Sequence, residues 1–95
     1  MSESLVISNR MLRPAKYREI LGTNKTGEHR QRHEGLLPPP VQIGPRAKAL
    51  PEYEVEIIRK ARVAGASPDE LREIVQRLLA ARKSDLNELL KEVGA

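Results

Sequence analysis

Side chains suited to binding a polyanion are crowded into one ten-residue segment, 25–34. It carries six such residues: Lys25, Thr26, His29, Arg30, Arg32 and His33. Lysine and arginine neutralise phosphates, arginine also bonds both acceptors of a guanine edge, and short polar side chains reach other bases. If the segment is helical, four of the six share part of one face and His29 lies beside them. The spacing therefore predicts a helix that enters the major groove of duplex DNA.

The positions within this helix differ in their expected contacts. Lys25 and Thr26 stand at its start, where they are expected to reach phosphates or base edges. Arg30 is the expected base reader, because an arginine in the middle of the helix can bond a guanine bidentately. The alternative interpretation is a basic helix that faces solvent and binds no partner.

A proline bridge and a basic hairpin follow directly. Gly35 suits a helix end, and Pro38–Pro40 fix an extended path. Val41–Ile43 alternates as a strand does, and the next three residues, Gly-Pro-Arg, are typical of a turn. Arg46 at the tip and Lys48 just after it are expected to contact phosphates or enter the minor groove.

Charge divides the chain into two halves. The net charge is +4, of which residues 1–50 carry +5 and residues 51–95 carry −1. This asymmetry favours a polyanion partner for the first half and structural or protein contacts for the second, although a merely solubilising surface is the alternative. There is no cysteine, no start typical of a secretory signal and no long apolar run, so we expect a cytoplasmic, nucleoid-associated protein without a membrane partner.

Capping residues and apolar stripes predict the elements. Helices are expected over 14–21, 25–34, 51–64, 67–83 and 84–93, the last two separated by Ser84 acting as a cap, and residues 1–9 are expected to be a flexible tail. The predicted fold class is mainly α with a small β-hairpin wing. It comprises a winged helix-turn-helix DNA-binding domain over 10–64 and C-terminal helices over 65–95.

The second of these helices lacks an apolar face. Between Thr23 and Glu34 there is no large apolar side chain, and Gly27 lies inside, which costs about 1 kcal/mol relative to alanine. We therefore expect Gly35, the proline bridge and the hairpin to hold the helix in place. We also expect it to be the least ordered element in the absence of DNA.

Other chemistries find little support. His29 and His33 are one turn apart, but they have no cysteine and no evident third and fourth ligand nearby, so no metal site is expected. Ser8, Ser67 and Ser84 resemble tail or cap residues, and no Gly-rich phosphate loop is present, so neither an enzyme nor a cofactor is expected. Tyr17 and Tyr53 are the only aromatic residues, which disfavours stacking on single strands or RNA.

The apolar stripe of the last two predicted helices has two interpretations. It consists of Leu71, Ile74, Val75, Leu78 and Leu79 on the first of them and of Leu86, Leu89, Leu90 and Val93 on the second. We expect it to complete the core, with a self-association surface as the alternative because the stripe extends farther than a minimal winged domain requires.

These residues resemble a known family. Gly22, Lys25-Thr26 at the start of the second helix, and the segment from Gly35 to Val55 are similar to the AlpA-like phage regulatory proteins. That family consists of small winged helix-turn-helix proteins related to excisionases and to the MerR-type DNA-binding fold. The resemblance covers about residues 10–64.

The resemblance implies a specific biological role. It implies a DNA-binding protein of a prophage or integrative element that acts as an excisionase, as a transcriptional regulator of the integrase and excision genes, or as both. Its partners would be attachment-site or promoter repeats and a tyrosine recombinase, with homo-oligomers forming on DNA. By position, Lys25, Thr26 and Arg30 fall on the recognition helix and Arg46 on the wing. The alternative function is an adaptor whose C-terminal helices bind a recombinase or repressor.

Overall fold

The computed structural model describes residues 10–94, which contain four helices and three short strands. The predicted tail, residues 1–9, lies outside the described residues. In chain order the elements are β1 (Met11–Leu12), α1 (Pro14–Leu21), α2 (Lys25–His33), β2 (Val41–Gly44), β3 (Ala47–Pro51), α3 (Glu52–Val63) and α4 (Pro68–Gly94). The first three predicted helices are confirmed to within one residue at each end.

A tight corner joins α1 to α2. Gly22 has φ +68°, a left-handed conformation that favours glycine, and the following Thr23 N–H donates to the Arg18 carbonyl. Asn24 then caps α2, because its side chain accepts a hydrogen bond of 2.8 Å from the Gly27 N–H. The direction in which α2 leaves α1 is thus fixed by three consecutive residues.

The sheet has one more strand than expected. β2 and β3 form the predicted antiparallel hairpin, with Val41 opposite Ala49 and Gln42 opposite Lys48. β1 adds to the other edge of β3, with Leu12 opposite Leu50, so the strand order is β1-β3-β2. The central strand β3 therefore pairs on one side with β1, which precedes α1, and on the other side with β2, which follows α2.

Leu21, at the end of α1, contacts both apolar clusters of the core. One cluster is built on Leu12, Tyr17, Leu50 and Val55, and the other on Leu37, Ile58, Val75 and Leu78. On α3 the buried apolar residues are Val55 and Ile58, and Ala64 just after the helix is exposed. Ile20 and Leu21 of α1 are half-buried against the core.

The C-terminal half contains one helix where two were predicted. Ser67 and Glu70 form the expected reciprocal capping box at its start, with hydrogen bonds of 2.8 and 3.1 Å. The helix then continues through Ser84 to Gly94. The predicted break at Ser84 is wrong because no proline or glycine interrupts residues 69–93, so a serine alone gives an established helix no reason to end.

A buried ion pair joins α3 to α4. The Glu54 side chain is fully buried, and it accepts two hydrogen bonds from the Arg82 guanidinium, at 2.8 and 2.5 Å. Its position beside Val55 and Ile58 places a charge within the packed face of α3. Burial of such a pair is tolerable because both oxygens are bonded and the charges compensate each other.

Removal of one partner from this pair should therefore destabilise the fold. We expect Arg82→Met to lower the free energy of unfolding by about 3 kcal/mol, because Glu54 is left buried and uncompensated. The matched control is Arg77→Met, whose pair with Glu73 is exposed and should contribute less than about 1 kcal/mol. Urea unfolding of both variants gives the comparison, and equal losses would contradict a special role for the buried pair.

Candidate nucleic-acid interface

The two faces of α2 have different surroundings. Five of the predicted DNA-binding residues are exposed on its outer face: Lys25, Thr26, His29, Arg30 and His33. The inner face carries Glu28, Gln31 and Arg32, which are buried or half-buried. Since residues three and four apart share a side of a helix, this division follows directly from the sequence positions.

A buried carboxylate holds the inner face against α1. Glu28 is 4% exposed, and it accepts hydrogen bonds from the Tyr17 hydroxyl and from the guanidinium groups of Arg18 and Arg32. Tyr17 and Arg18 lie on α1, whereas Arg32 lies one turn further along α2. One carboxylate thus links the two helices where an apolar contact would ordinarily do so.

Three further hydrogen bonds attach the second half of α2. Arg32 Nε donates to the Pro38 carbonyl at 3.0 Å, which ties the helix to the proline bridge. Arg62 on α3 donates to the Gln31 side chain at 2.9 Å, and Arg72 on α4 donates to the Glu34 carbonyl at 2.8 Å. These contacts are polar, so a search for apolar periodicity does not find them.

These contacts change the expected role of Arg32. Its guanidinium is bonded to Glu28 and Pro38, and its side chain is 22% exposed. It stands on the opposite side of α2 from Arg30. Arg32 therefore belongs to the inner network, although it also lines the cleft described next, and its contact with DNA stays a prediction.

A cleft of about 220 Å³ brings basic side chains from three elements together. α2 contributes Lys25 and His29 to its lining, α1 contributes Arg18, and β3 contributes Lys48. Its remaining lining residues are Pro14, Tyr17, Glu28, Arg32 and Pro40. Lys25, His29 and Lys48, predicted separately from the helix and the hairpin, thus share one concave surface.

Four other predicted residues lie outside this cleft. Thr26, Arg30 and His33 are exposed further round α2. Arg46 is exposed in the hairpin turn, where the Gln42 side chain donates to the carbonyls of Gly44 and Pro45 at 2.7 and 3.2 Å. Gln42 thereby closes the turn that presents Arg46.

Sequence reasoning missed two residues of this region. Glu28 has no role among the sequence-based predictions, but it is the buried acceptor that positions α2. Arg18 was not singled out, yet it lines the cleft while bonded to Glu28. The sequence does contain a signal for this network. Glu28 lies on the side of α2 opposite the basic face, and Arg32 follows it by four residues, the spacing of an ion pair within a helix.

The network shifts the ionisation of its members. Burial by itself raises the pKa of Glu28, but the hydrogen bonds from Tyr17, Arg32 and Arg18 outweigh it, so the pKa lies below its ordinary value of 4.5. Burial raises the pKa of Tyr17, and its bond to the Glu28 carboxylate adds to the effect. At neutral pH the tyrosine therefore donates to an ionised carboxylate.

Other candidate sites are less suited to a polyanion. A larger cleft of about 590 Å³ lies where α3 meets α4, lined mainly by alanine, glycine and glutamate residues with Arg77.

Within residues 10–94 no group of three or more histidine, aspartate and glutamate side chains is placed to hold a metal ion. No helix of this part of the chain is long and apolar enough to cross a membrane.

Neutralising Glu28 should loosen α2 in a pH-dependent manner. Because its folded-state pKa is lowered, the ionised carboxylate stabilises the fold above about pH 4.5, and this contribution is lost as the pH falls through the lower folded-state value. We expect Glu28→Gln to lower the free energy of unfolding by about 2 to 3 kcal/mol at neutral pH and to flatten its decline in acid. Urea unfolding at several pH values measures both effects.

The control for this variant is Glu73→Gln, which removes an exposed carboxylate on α4. It should change the unfolding free energy by less than about 1 kcal/mol. Amide exchange should accelerate across residues 25–33 in Glu28→Gln and not in the control. Indistinguishable behaviour of the two variants would show that the Glu28 network does not anchor α2.

Comparison of the chain with known protein families, with curated proteins and with solved structures finds no match.

Proposed function

We propose that this protein binds duplex DNA sequence-specifically as a winged helix-turn-helix, with the outer face of α2 as the recognition surface and the β2–β3 hairpin as the wing. The observation that carries the proposal is the shared cleft, in which Lys25 and His29 of α2 meet Lys48 of the hairpin. A phosphate of one strand lying there would be bound by both elements at once. That is the contact a recognition helix needs to fix its register on the duplex.

The dimensions of α2 support the same function. Its nine residues span about 14 Å, and its five exposed polar side chains occupy the face that is not used for packing. A major groove about 12 Å wide admits such a helix. Arg30 is exposed partway along α2, where it would read a base edge, whereas Lys25 and Thr26 at the helix start would reach phosphates or base edges.

The resemblance to AlpA-like regulators supports a more specific role. A protein of this kind in a prophage or integrative element would act as an excisionase, as a regulator of the integrase and excision genes, or as both. Both tasks use one DNA-binding surface, so we place both within the proposal. Protection of attachment-site repeats or of a promoter in a footprint, in the presence and absence of the neighbouring tyrosine recombinase, separates them.

The role of Arg30 can be tested by site selection. Duplexes chosen by the protein from a random-sequence pool define its preferred site. We expect Arg30→Ala to weaken binding to that site by about 1 to 3 kcal/mol relative to random duplex and to relax the selected sequence at one position.

The matched control is Arg77→Ala, which removes an exposed cation of α4 outside the proposed DNA-binding surface. It should leave both affinity and selected sequence unchanged. Equal losses on selected and random duplexes would exclude Arg30 as a base reader, even if α2 still binds phosphate.

The role of Arg46 is expected to be different. Arg46→Ala should weaken binding to all duplexes similarly, and it should reduce the slope of log affinity against log salt by about 1 if Arg46 neutralises one phosphate. Fluorescence anisotropy over a series of salt concentrations measures the slope. An unchanged slope would remove Arg46 from the phosphate contacts.

A broader result would contradict the function itself. If selection yields no preferred sequence and binding disappears at moderate salt, the basic surface acts without specificity. The adaptor function, in which α4 binds a recombinase or repressor, would then be the better account.

A further inference from the structure

The end of α4 carries an apolar surface that the fold leaves uncovered. Among the described residues, seven large apolar side chains are exposed, and four of them lie on this short segment: Leu86, Leu89, Leu90 and Val93, at 54%, 55%, 57% and 79% exposure. The other three are separated along the chain. Scattered exposed apolar residues are ordinary, but a contiguous group of this kind indicates an interaction surface.

This surface continues the face of α4 that packs in the core. At 100° per residue, the four residues lie on the same side as Val75 and Leu78, which contact Ile58 of α3. α3 covers this face of α4 only as far as the Arg82–Glu54 pair. Every residue of α4 from 83 to 94 is exposed. About 18 Å of helix therefore extends beyond the core with its apolar face open.

The spacing of the four residues is the same in both directions. Intervals of three, one and three residues separate Leu86, Leu89, Leu90 and Val93. When the helix is reversed, Leu86 takes the position of Val93 and Leu89 that of Leu90. A stripe with this symmetry matches a second, antiparallel copy of itself, as an isologous two-fold interface requires.

We propose that two copies of this chain associate through residues 83–94 of α4, packed antiparallel about a two-fold axis between Leu89 and Leu90. Leu86 of one copy then packs against Val93 of the other, and the two central leucines interdigitate. This inference does not depend on DNA binding.

The position of α3 selects the antiparallel arrangement. In a parallel pair, each copy's α3 would occupy the space between the two α4 helices, because it covers the same face immediately before residue 83. In the antiparallel pair the two cores lie at opposite ends. Each α3 then lies beside one end of the paired segment and not between the two α4 helices.

Charged residues on the two edges of the apolar stripe of residues 86–93 should strengthen or weaken the association of the two copies. Asp85 and Glu92 lie on one edge, and antiparallel packing brings Asp85 of each copy near Glu92 of the other. Lys83 lies on the opposite edge, close to the carbonyl end of the partner helix, where a cation is favourable. The acidic edge weakens the pair, and salt should relieve that repulsion.

The interface is small for a stable dimer. A patch of a few hundred Å² per copy is below the roughly 800 Å² per partner of standard interfaces. We therefore expect a dimer that dissociates at micromolar concentrations and forms progressively as the protein is concentrated. Sedimentation equilibrium of the full chain without DNA, from about 5 μM to 1 mM, measures this directly.

Two variants test the surface and its orientation. Leu89→Ser/Leu90→Ser should raise the dimer dissociation constant at least about tenfold without unfolding the chain, because both side chains are exposed in the single copy. Val63→Ser, at an exposed apolar residue elsewhere, should leave the constant unchanged. Glu92→Lys should lower the constant several-fold at low salt, because it places a cation beside Asp85 of the other copy.

The outcomes decide the proposal. Concentration-dependent dimers that weaken in the double serine variant and strengthen in Glu92→Lys support it. A chain that stays monomeric at 1 mM, or a dimer insensitive to the double substitution, overturns it. A dimer that weakens in the serine variant but does not respond to Glu92→Lys overturns the antiparallel arrangement. Circular dichroism of each variant shows that α4 remains helical, so loss of the helix is not mistaken for loss of the interface.

Discussion

Burial of the Glu28 carboxylate is the constraint on which the arrangement of α2 depends. An ionised oxygen pair inside a protein is tolerated only when donors compensate it, and here a phenol and two guanidinium groups do so. Because those donors come from α1 and from the next turn of α2, satisfying the carboxylate also fixes the angle between the helices. Further polar bonds to α3, to α4 and to the proline bridge extend the same principle.

This mode of attachment explains how a helix without apolar residues belongs to a small core. Apolar packing is not directional, whereas hydrogen bonds to a carboxylate fix both distance and angle. The core itself consists of two clusters that share Leu21, and Glu28 of α2 is bonded to Tyr17 of one of them. α2 therefore lies on the surface of that core, where its outer side chains remain in solvent and its inner side chains fix its position.

Local signals accounted for much of the fold. Gly22, Gly35 and the Ser67–Glu70 box each act within a few residues, so helix ends were predictable from the sequence. The anchoring of α2 was not, because Glu28 meets Arg18 ten residues earlier on another helix. Glu54 and Arg82 are 28 residues apart and illustrate the same difficulty. Ser84 was predicted to cap a new helix, but α4 continues through it. A helix that is already formed ends only at a competing interaction or at a residue such as proline or glycine.

The division of α2 into two faces separates the residues that hold the helix in place from those that we propose bind DNA. The residues that maintain the fold, Glu28, Gln31 and Arg32, occupy one side, and Lys25, Thr26, His29, Arg30 and His33 occupy the other. Substitutions on the outer side therefore change what the helix presents without disturbing how it is held. Such a scaffold can diverge toward new targets by changing a handful of surface positions, because its evolution is not constrained there by the requirements of folding.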